Sequence, residues 1–595
     1  MTKFPYGLCD FYDIITENYF YADRTGHIPK IETAGKHLLF LRPRRFGKSL
    51  LLSMLENYYD IAKADRFDKL FGHLHIGKNP TKLHSRYFVM KWDFSAVSPG
   101  GEPETIQQNL YDYVNSRIRA FSLYYRDFLT EEIRINPGNA QDSFQSLLIA
   151  VQQTEHKLYL LIDEYDNFAN EVMMGGRRGS ETSYKSLVYG EGYLKSLFKV
   201  IKAASAGQGL DRTFITGVSP VVLSDITSGH NIAENSSLMP EFNDLCGFSE
   251  TETGNMLGDV ADECGFSAEK TAEALLLMRT FYNGYCFSQD SGERVYNPTL
   301  ALYFLKNFQK TCAYPRKMLD GNLAPDRGKL IYISGLPGGE KVIADALGGE
   351  RPVRIPELSD RFGVEDVLNA KKDRVFMASL LYYFGVLTLS EEPDEMGELV
   401  LRIPNLVIRK LYAERIREML LPESGMDEIR NVTRMFYRTG DMQPLCDLIE
   451  KTCFAVFDNR DYLRADELTV KTVFLSLLYN DSLYIMDSET PIERRYADLT
   501  MIVRPDMRHY ELPDILMEFK YIPLHDTGLT GAEIRKMSTG ELGKIPAVQK
   551  KCGEAEAQAR EYGKKLVKIY GDILRLRVYS VLSVGFERLV WQAVK

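Results

Sequence analysis

The chain has 595 residues, a formal net charge of −9, 45% hydrophobic and 26% charged residues; it is too long for a single core and suggests about four domains. No unbroken apolar run of about 18 residues occurs, which excludes an evident membrane-spanning helix. The acidic balance excludes nucleic-acid binding by the global field, so any such contact needs a local basic groove.

The start, "MTKFPYGLCDFYDII", lacks a basic segment followed by an apolar core, so a cytoplasmic protein without a secretory signal is expected. Eight scattered cysteines without a Cys-x-x-Cys pair suit free thiols in a reducing compartment and argue against structural zinc. Residues 1 to about 245 alternate apolar strands and amphipathic helices, the pattern of an α/β fold with a largely parallel sheet. "KHLLFL" (36–41) reads as a buried strand, and "SLLLSMLENYYD" (49–60) as a helix packed on it. The turn between them, "RPRRFGKS", contains the Gly-Lys-Ser of a phosphate-binding loop, but Arg42 stands where that loop normally begins with glycine. Phosphates need inward backbone N–H groups at a helix N-terminus. Arg45, Phe46, Gly47, Lys48, Ser49 and Leu50 form that loop and helix start, with Lys48 on the β and γ phosphates and Ser49 on magnesium. Alone, the motif is equally compatible with a basic turn that holds no ligand.

"HKLYLLIDEYDNF" (156–168) supplies the second half: a buried strand ending in Asp163 and Glu164. Asp163 would reach the magnesium shell and Glu164 would polarise an attacking water. "RTFITGVSP" (212–220) resembles the sensor strand that lies between those two strands in additional-strand ATPases, which would put Thr216 at the γ phosphate or the water. Together these point to an ATP site. Arg42, Arg44, Arg45 and Arg212 all remain open as the arginine that stabilises transferred charge. From 248 to 312 the pattern is helical, with serine caps at "SETETGNMLG" and "SAEKTAEALL". A polar, Gly- and Pro-rich stretch precedes "VFMASLLYYFGVLTLSEEPDEMGELVLRIPN" (375–405), which reads helix, strand, acidic turn, strand, the outline of a small winged helix. Glu391, Glu392, Asp394 and Glu395 at its tip repel phosphate and favour a packing role over DNA binding.

The C-terminal section contains "PIERRYADLTMIVRPDMRHYELPDILMEFKYI" (491–522), two β-runs about a polar turn. Alternation puts Ile515, Met517 and Phe519 on one face, and Asp514, Leu516, Glu518 and Lys520 on the other. If Asp498 lies across from them, Asp498 and Glu518 can hold a divalent cation while Lys520 orients a water or stabilises phosphate charge, as in metal-dependent phosphodiesterases. The pair Pro513-Asp514 is a decoy, because the first acid should come from the preceding strand. Glu493 is a candidate extra acid, and Gln558 and Tyr562, four apart on an amphipathic helix, could touch a DNA strand or brace the lysine. An ordinary salt bridge on an exposed strand is the plain alternative for Glu518 and Lys520.

"RPRRFGKSL", "LLIDEYD", "TGVSP", "YNGYCF", "VYNP", "SLLYYFGVLTL…LRIPN" and "RRYADL…LMEFK" together resemble the bacterial AAA-ATPase-like proteins, in which a signal-transduction-type P-loop ATPase is joined to a nuclease-like domain of the PD-(D/E)xK superfamily. The resemblance runs from about residue 4 to 310 and again from about 375 to 570, and its first-loop motif tolerates Arg-Pro-Arg-Arg. It implies a P-loop NTPase (AAA-like) domain over 1–247, a helical lid over 248–312, a linker with a winged-helix-like domain over 313–425, and a restriction-endonuclease-like α/β domain over 426–595. It also implies Lys48 and Ser49 on ATP, Asp163 on Mg²⁺, Glu164 on water, and Asp498, Glu518 and Lys520 as the nuclease motif. The expected activity is an ATPase whose nucleotide state controls a Mg²⁺-dependent nuclease, with DNA ahead of RNA as partner, defence against foreign DNA as a setting, and self-association left open. The competing readings are an ATP-driven scaffold whose nuclease fold binds without cutting, and a nuclease whose ATP site is only structural.

Overall fold

A computed structural model describes residues 1–594 except 99–101, 167–191, 221–232, 320–323, 349–352, 360–361, 363–372, 392–395, 421–425, 455–465, 488–489 and 493–494. The chain divides into two compact units, one of Met1–Arg279, Asn283–Cys312 and Ile355–Leu399, the other of Thr280–Tyr282, Ala313–Arg354 and Val400–Lys595.

The first unit is built on strands β1 (His37–Leu41), β2 (Tyr87–Asp93), β3 (Lys157–Asp163), β4 (Leu210–Gly217) and β5 (Glu234–Asn235) in the order β2-β3-β4-β1-β5, all parallel. The expected position of β4 is therefore found: it lies between β1 and β3, with Phe40 opposite Thr216 and Ile162 opposite Ile215. Helix α1 (Lys48–Tyr59) buries Leu51, Leu52, Met54, Leu55, Tyr58 and Tyr59 at three- and four-residue spacing, which turns one broad face to the sheet. Helices α2 (Pro103–Tyr124), α3 (Ala140–Gln152) and α4 (Tyr193–Ser205) complete the sheet's cover, α3 starting at Asn139, whose side chain accepts from two backbone N–H groups.

Helix α5 (Glu250–Cys264) begins with the Ser249–Glu252 capping box and ends at left-handed Gly265. It is followed by α6 (Ala268–Tyr282) and α7 (Pro298–Thr311). A disulfide joins Cys264 at the end of α5 to Cys312 just past α7, with Cα atoms 5.7 Å apart. This corrects the reading of every cysteine as a free thiol: the two are 48 positions apart in sequence, and only the packing of α5 on α7 brings them together. The other six are free, Cys9 exposed and the rest buried.

In the second unit α8 (Ala324–Ser334) and α9 (Gly339–Gly348) come first. Strand β6 (Val353–Ile355) follows, then helix α10 (Arg374–Tyr383) and strand β7 (Thr388–Leu389), both of which belong to the first unit, and strand β8 (Leu399–Arg402), with sheet order β6-β8-β7. The helix–strand–turn–strand order read from 375–405 is thus present. At its turn Glu391 pairs with Arg294, while Glu392, Asp394 and Glu395 lie outside the described residues. Helices α11 (Leu406–Leu420), α12 (Met426–Thr439) and α13 (Glu467–Leu478) lead into strands β9 (Tyr484–Asp487), β10 (Leu499–Val503) and β11 (Asp514–Ile522). Helix α14 (Pro546–Tyr570) and strands β12 (Leu576–Val584) and β13 (Arg588–Val594) close the sheet in the order β13-β12-β11-β10-β9. Only β11 and β12 run parallel.

Strand β11 is the middle strand, and residues 514–519 are all buried. The alternation seen in the sequence therefore does not separate core from solvent: Phe519 packs at a tilt against Phe474 of α13, ring centroids 5.0 Å apart, while Leu516 packs with Tyr562 and Leu566 of α14. Tyr562 is accordingly a core residue and not a free DNA contact. Helix α14 buries Val548, Cys552, Ala555, Ala559, Tyr562 and Leu566 at alternating spacings of four and three, and Gly563 admits the close approach of Val578.

Among the described residues no helix is long and apolar enough to cross a membrane.

Candidate functional sites

The loop from Arg42 to Ser49 joins the end of β1 to α1. Arg45 (φ 68°) and Gly47 (φ 93°) are both left-handed, the backbone habit that turns successive N–H groups inward as an anion nest. Arg42 does not contribute to that nest. Its guanidinium is 1% exposed, donates to the carbonyls of Leu41, Ser237 and Phe242 at 2.7–2.8 Å, and lies over the rings of Phe40 and Phe287. Its φ is negative, so no glycine is required there. Arg212 is equally committed: it donates to the carbonyls of Gly35 and Glu32 from the start of β4, the end remote from Thr216. Of the four arginines left open, Arg44 and Arg45 stay half-buried at the loop, and Arg44 acts electrostatically on Glu164.

Arg45, Phe46, Gly47, Lys48, Ser49, Leu50 and Glu164 line one chamber of about 250 Å³. Its other wall was not foreseen: Phe20 and Tyr21 from the N-terminal segment, Cys246 to Phe248, and Pro298, Thr299 and Leu302 of α7. The aromatic run "YFYAD" was the available signal. Phe46 packs edge-on against Tyr285 and Phe287, so its ring anchors the loop, and Thr299 donates to the carbonyl of Arg45. Lys48 is 5% exposed and donates to the carbonyls of Arg42 and Pro43 at 2.9 and 3.0 Å, which closes the loop on itself. Burial lowers its pKa, against the pull of Glu164 and Asp163.

Thr216 Oγ1 donates to Asp163 Oδ1 at 2.7 Å, and the N–H of Glu164 reaches the same oxygen at 3.0 Å. Asp163 also acts electrostatically on Lys48 of the loop. With Ser49 it makes an all-oxygen donor set, which fits a hard cation such as Mg²⁺. Glu164 has φ 47°, uncommon for a side chain of its size, and burial raises its pKa against the opposing charges of Lys48 and Arg44. Two further residues of "DEYD" brace the site. Asp166 is fully buried and accepts from the N–H groups of Val218 and Ser219 and from the Ser219 hydroxyl, while Tyr165 donates to the Ser219 carbonyl at 2.6 Å. Together they lock the end of β4 to the end of β3.

In the second unit the strand β11 and helix α13 converge on a charged cluster. Asp498, just before β10, accepts from the N–H of Phe519 at 2.8 Å and stands 3.6 Å from Lys471 Nζ. Glu518 is 3% exposed; its Oε1 accepts from Lys520 at 3.1 Å, and its Oε2 has no partner among the described residues. Lys520 also donates to Glu467 at 3.1 Å and to the Phe519 carbonyl at 2.8 Å. Glu467 and Lys471 were not foreseen. Asp466 caps α13, Glu467 opens it, and every residue from Leu468 to Leu478 is buried, which leaves Lys471 as the one charged side chain in that buried run. The signal was an acid-capped start, "ADELTVK", before a long apolar run.

Burial, and then the charge of Asp498, push the Glu518 carboxyl up to about 8, although Lys520 opposes this. Burial works against the Lys520 ammonium, but Glu518, Glu467 and Asp498 outweigh it and hold it charged. We place the proton on Glu518 and keep Lys520 cationic, because the carboxylates of Glu467 and Asp498 still act on it. Among the described residues no group of three or more His, Cys, Asp or Glu side chains is set to hold a metal. The pair Asp498–Glu518, with a buried oxygen that lacks a donor, nevertheless fits one hard cation.

Asp514 is not part of the cluster: it accepts from the N–H groups of Val503 and Arg575 and pairs with Arg508 at 2.6 Å. Glu493 lies outside the described residues. Gln558 on α14 keeps a buried side-chain oxygen without a partner.

Residues 5–227 match the sequence profile of a family described as predicted AAA-ATPase. A protein of Azotobacter chroococcum mcd 1, described as an uncharacterized protein in the vnfD 5′ region, is 25% identical over 449 residues, 71% of each chain. Among solved structures, the Walker-type ATPase PABY2304 of Pyrococcus abyssi covers 69% of this chain with 98% of its own, at 14% identity and a TM-score of 0.40. The ORC2 protein of Aeropyrum pernix, solved as ADPNP-ADP complexes, covers 68% with 98% of its own, at 12% identity and a TM-score of 0.31. The first part of the chain is thus AAA-ATPase-like by sequence profile, and its parallel sheet and loop agree with that likeness.

Proposed function

We propose that the protein binds and hydrolyses ATP in its first unit and that nucleotide state controls a metal-dependent phosphodiesterase in its second. For the first half the supporting observation is the Thr216–Asp163 hydrogen bond at the ends of β4 and β3, which holds the acid that would meet a nucleotide-bound cation. The loop's N–H groups and Lys48 take the phosphates, Lys48 exchanging its own loop carbonyls for phosphate oxygens. Ser49 and Asp163 would hold a magnesium ion, which when bound would screen the phosphate charge. Glu164 orients water. Its raised pKa marks a carboxylate poised to accept a proton.

For the second half the supporting observation is the buried Asp498–Glu518 pair with Lys520 attached and one carboxylate oxygen left without a donor. Asp498 and Glu518 would hold a divalent ion, which when bound supplies Lewis-acid stabilisation of phosphate charge. Lys520, steered by Glu467, is placed to orient the attacking water. Phe519 N–H holds Asp498 in place.

Calorimetry and cleavage assays on the full chain test both halves. ATP with magnesium should bind the parent and Glu164→Gln, while Lys48→Ala should lose about tenfold or more in affinity, since a charge-assisted contact is worth about 1.5–3 kcal/mol. Labelled linear, circular and single-stranded DNA and RNA should be cut with Mg²⁺ or Mn²⁺ and not in chelator, and Lys520→Ala should bind metal without cutting. Equal ATP affinity in parent and Lys48→Ala would remove the nucleotide site. Absence of cutting, with no cation detected, would replace the nuclease with a binding scaffold.

A further inference from the structure

A groove of about 340 Å³ opens in the second unit among α11, α12 and the end of α13. Arg417, Arg430 and Arg434 line it, with Thr433, Tyr437, Tyr479 and Asn480 as its remaining polar wall. These arginines are little neutralised. Arg417 has a buried Nε without a partner, Arg434 has neither ion pair nor hydrogen bond among the described residues, and Arg430 meets only the solvent-exposed Asp427 at 3.4 Å. Arg430 and Arg434 are four apart on α12 and therefore point the same way. In a chain of net charge −9, three guanidinium groups facing one groove need a reason. Their fork geometry matches phosphate oxygens, and the half-buried Tyr479 ring gives a flat surface beside them.

We propose that this groove seats the phosphodiester backbone of a nucleic-acid strand whose scissile bond lies at the Asp498–Glu518–Lys520 cluster. Helix α13 links the two places: Glu467 opens it at the cluster, and Leu477 lines the groove ten residues on. At 1.5 Å per residue that is roughly 15 Å along the axis, or about four base steps of a duplex. The groove sets register and affinity, while the cluster carries out chemistry. The inference rests on the reading that the second unit acts on nucleic acid, and it adds the surface that holds the strand.

The test is fluorescence anisotropy of labelled 20-nucleotide DNA and RNA, single- and double-stranded, with the full-length protein in chelator, so that nothing is cut. Arg434→Glu and Arg430→Glu, both at exposed positions, should each weaken binding about tenfold and lower the salt slope by about one. Arg417→Gln should weaken it as well. Lys564→Glu, an equal charge reversal at an exposed position of α14, should leave affinity unchanged, and thermal melts should show all variants folded. Strand binding that is indifferent to the arginine substitutions, or equally sensitive to Lys564→Glu, would overturn the groove while a positive cleavage assay kept the nuclease. Binding that depends on the arginines, without cleavage under any metal, would keep the groove and remove the nuclease. A parent that neither binds nor cuts any strand would sink both.

Discussion

At the scale of single residues, the second unit stores an unusual charge arrangement at Glu518. The folded carboxyl holds its proton up to about 8, while the unfolded chain releases it near 4.5. Between those values the native state binds more protons than the unfolded one, so stability must fall as pH rises. Thermal melts of the metal-free protein should therefore show a midpoint that drops from pH 5 to pH 8. Glu518→Gln should flatten that slope, and Mg²⁺ at pH 8 should recover the loss, because an ion that binds only the folded state stabilises it. Asp514 presents the opposite case. It is fully buried, but its bonds to Val503, Arg575 and Arg508 tie three segments together. Asp514→Asn should cost about 1–3 kcal/mol in denaturant melts, yet leave metal binding by the folded fraction intact.

At the scale of elements, the phosphate loop is held from outside its own strand and helix. The turn that ends α10 places Gly385 (φ 77°) against Pro43, where an added Cβ would stand 2.6 Å from the proline's Cβ. Gly385→Ala should push the loop and lower ATP affinity several-fold in calorimetry, while a substitution at the exposed Gly397 of the following turn should not. The same scale explains what the sequence could and could not reveal. Strands β1, β3 and β4 were legible because a buried parallel strand reads as an apolar run whose polar residues collect at its end, as in "LLIDE" and "FITG". Glu467 and Lys471 were not, because a residue on a buried helix acquires its partners only through tertiary packing, and nothing local ties "ELTVK" to "ADL" or "EFK". The N-terminal wall of the ATP chamber was hidden for the same reason. The disulfide was hidden too, since its two cysteines meet only where helix ends converge.

At the scale of the molecule, the proposed coupling between units is what most needs measurement. Glu164→Gln should trap ATP without hydrolysing it, and a coupling free energy of about 1–3 kcal/mol is typical for such switches. Sedimentation velocity on this variant should then show a different coefficient or stoichiometry with ATP than without it, and cleavage rates should change in parallel. Identical profiles and rates in the two states would mean that ATP only stabilises the first unit.

Arg42 carries a consequence for anyone who would engineer this loop. Replacing it with glycine would bring the sequence to the familiar form, and a consensus-minded designer would choose that change first. In this chain it would remove a buried guanidinium that clasps three carbonyls and two aromatic rings, and leave Ser237 and Phe242 without their donors. Each lost charge-assisted bond is worth about 1.5–3 kcal/mol, so Arg42→Gly should lower the melting temperature and weaken ATP binding. Here restoring the common spelling of the motif would unmake the site that the motif names.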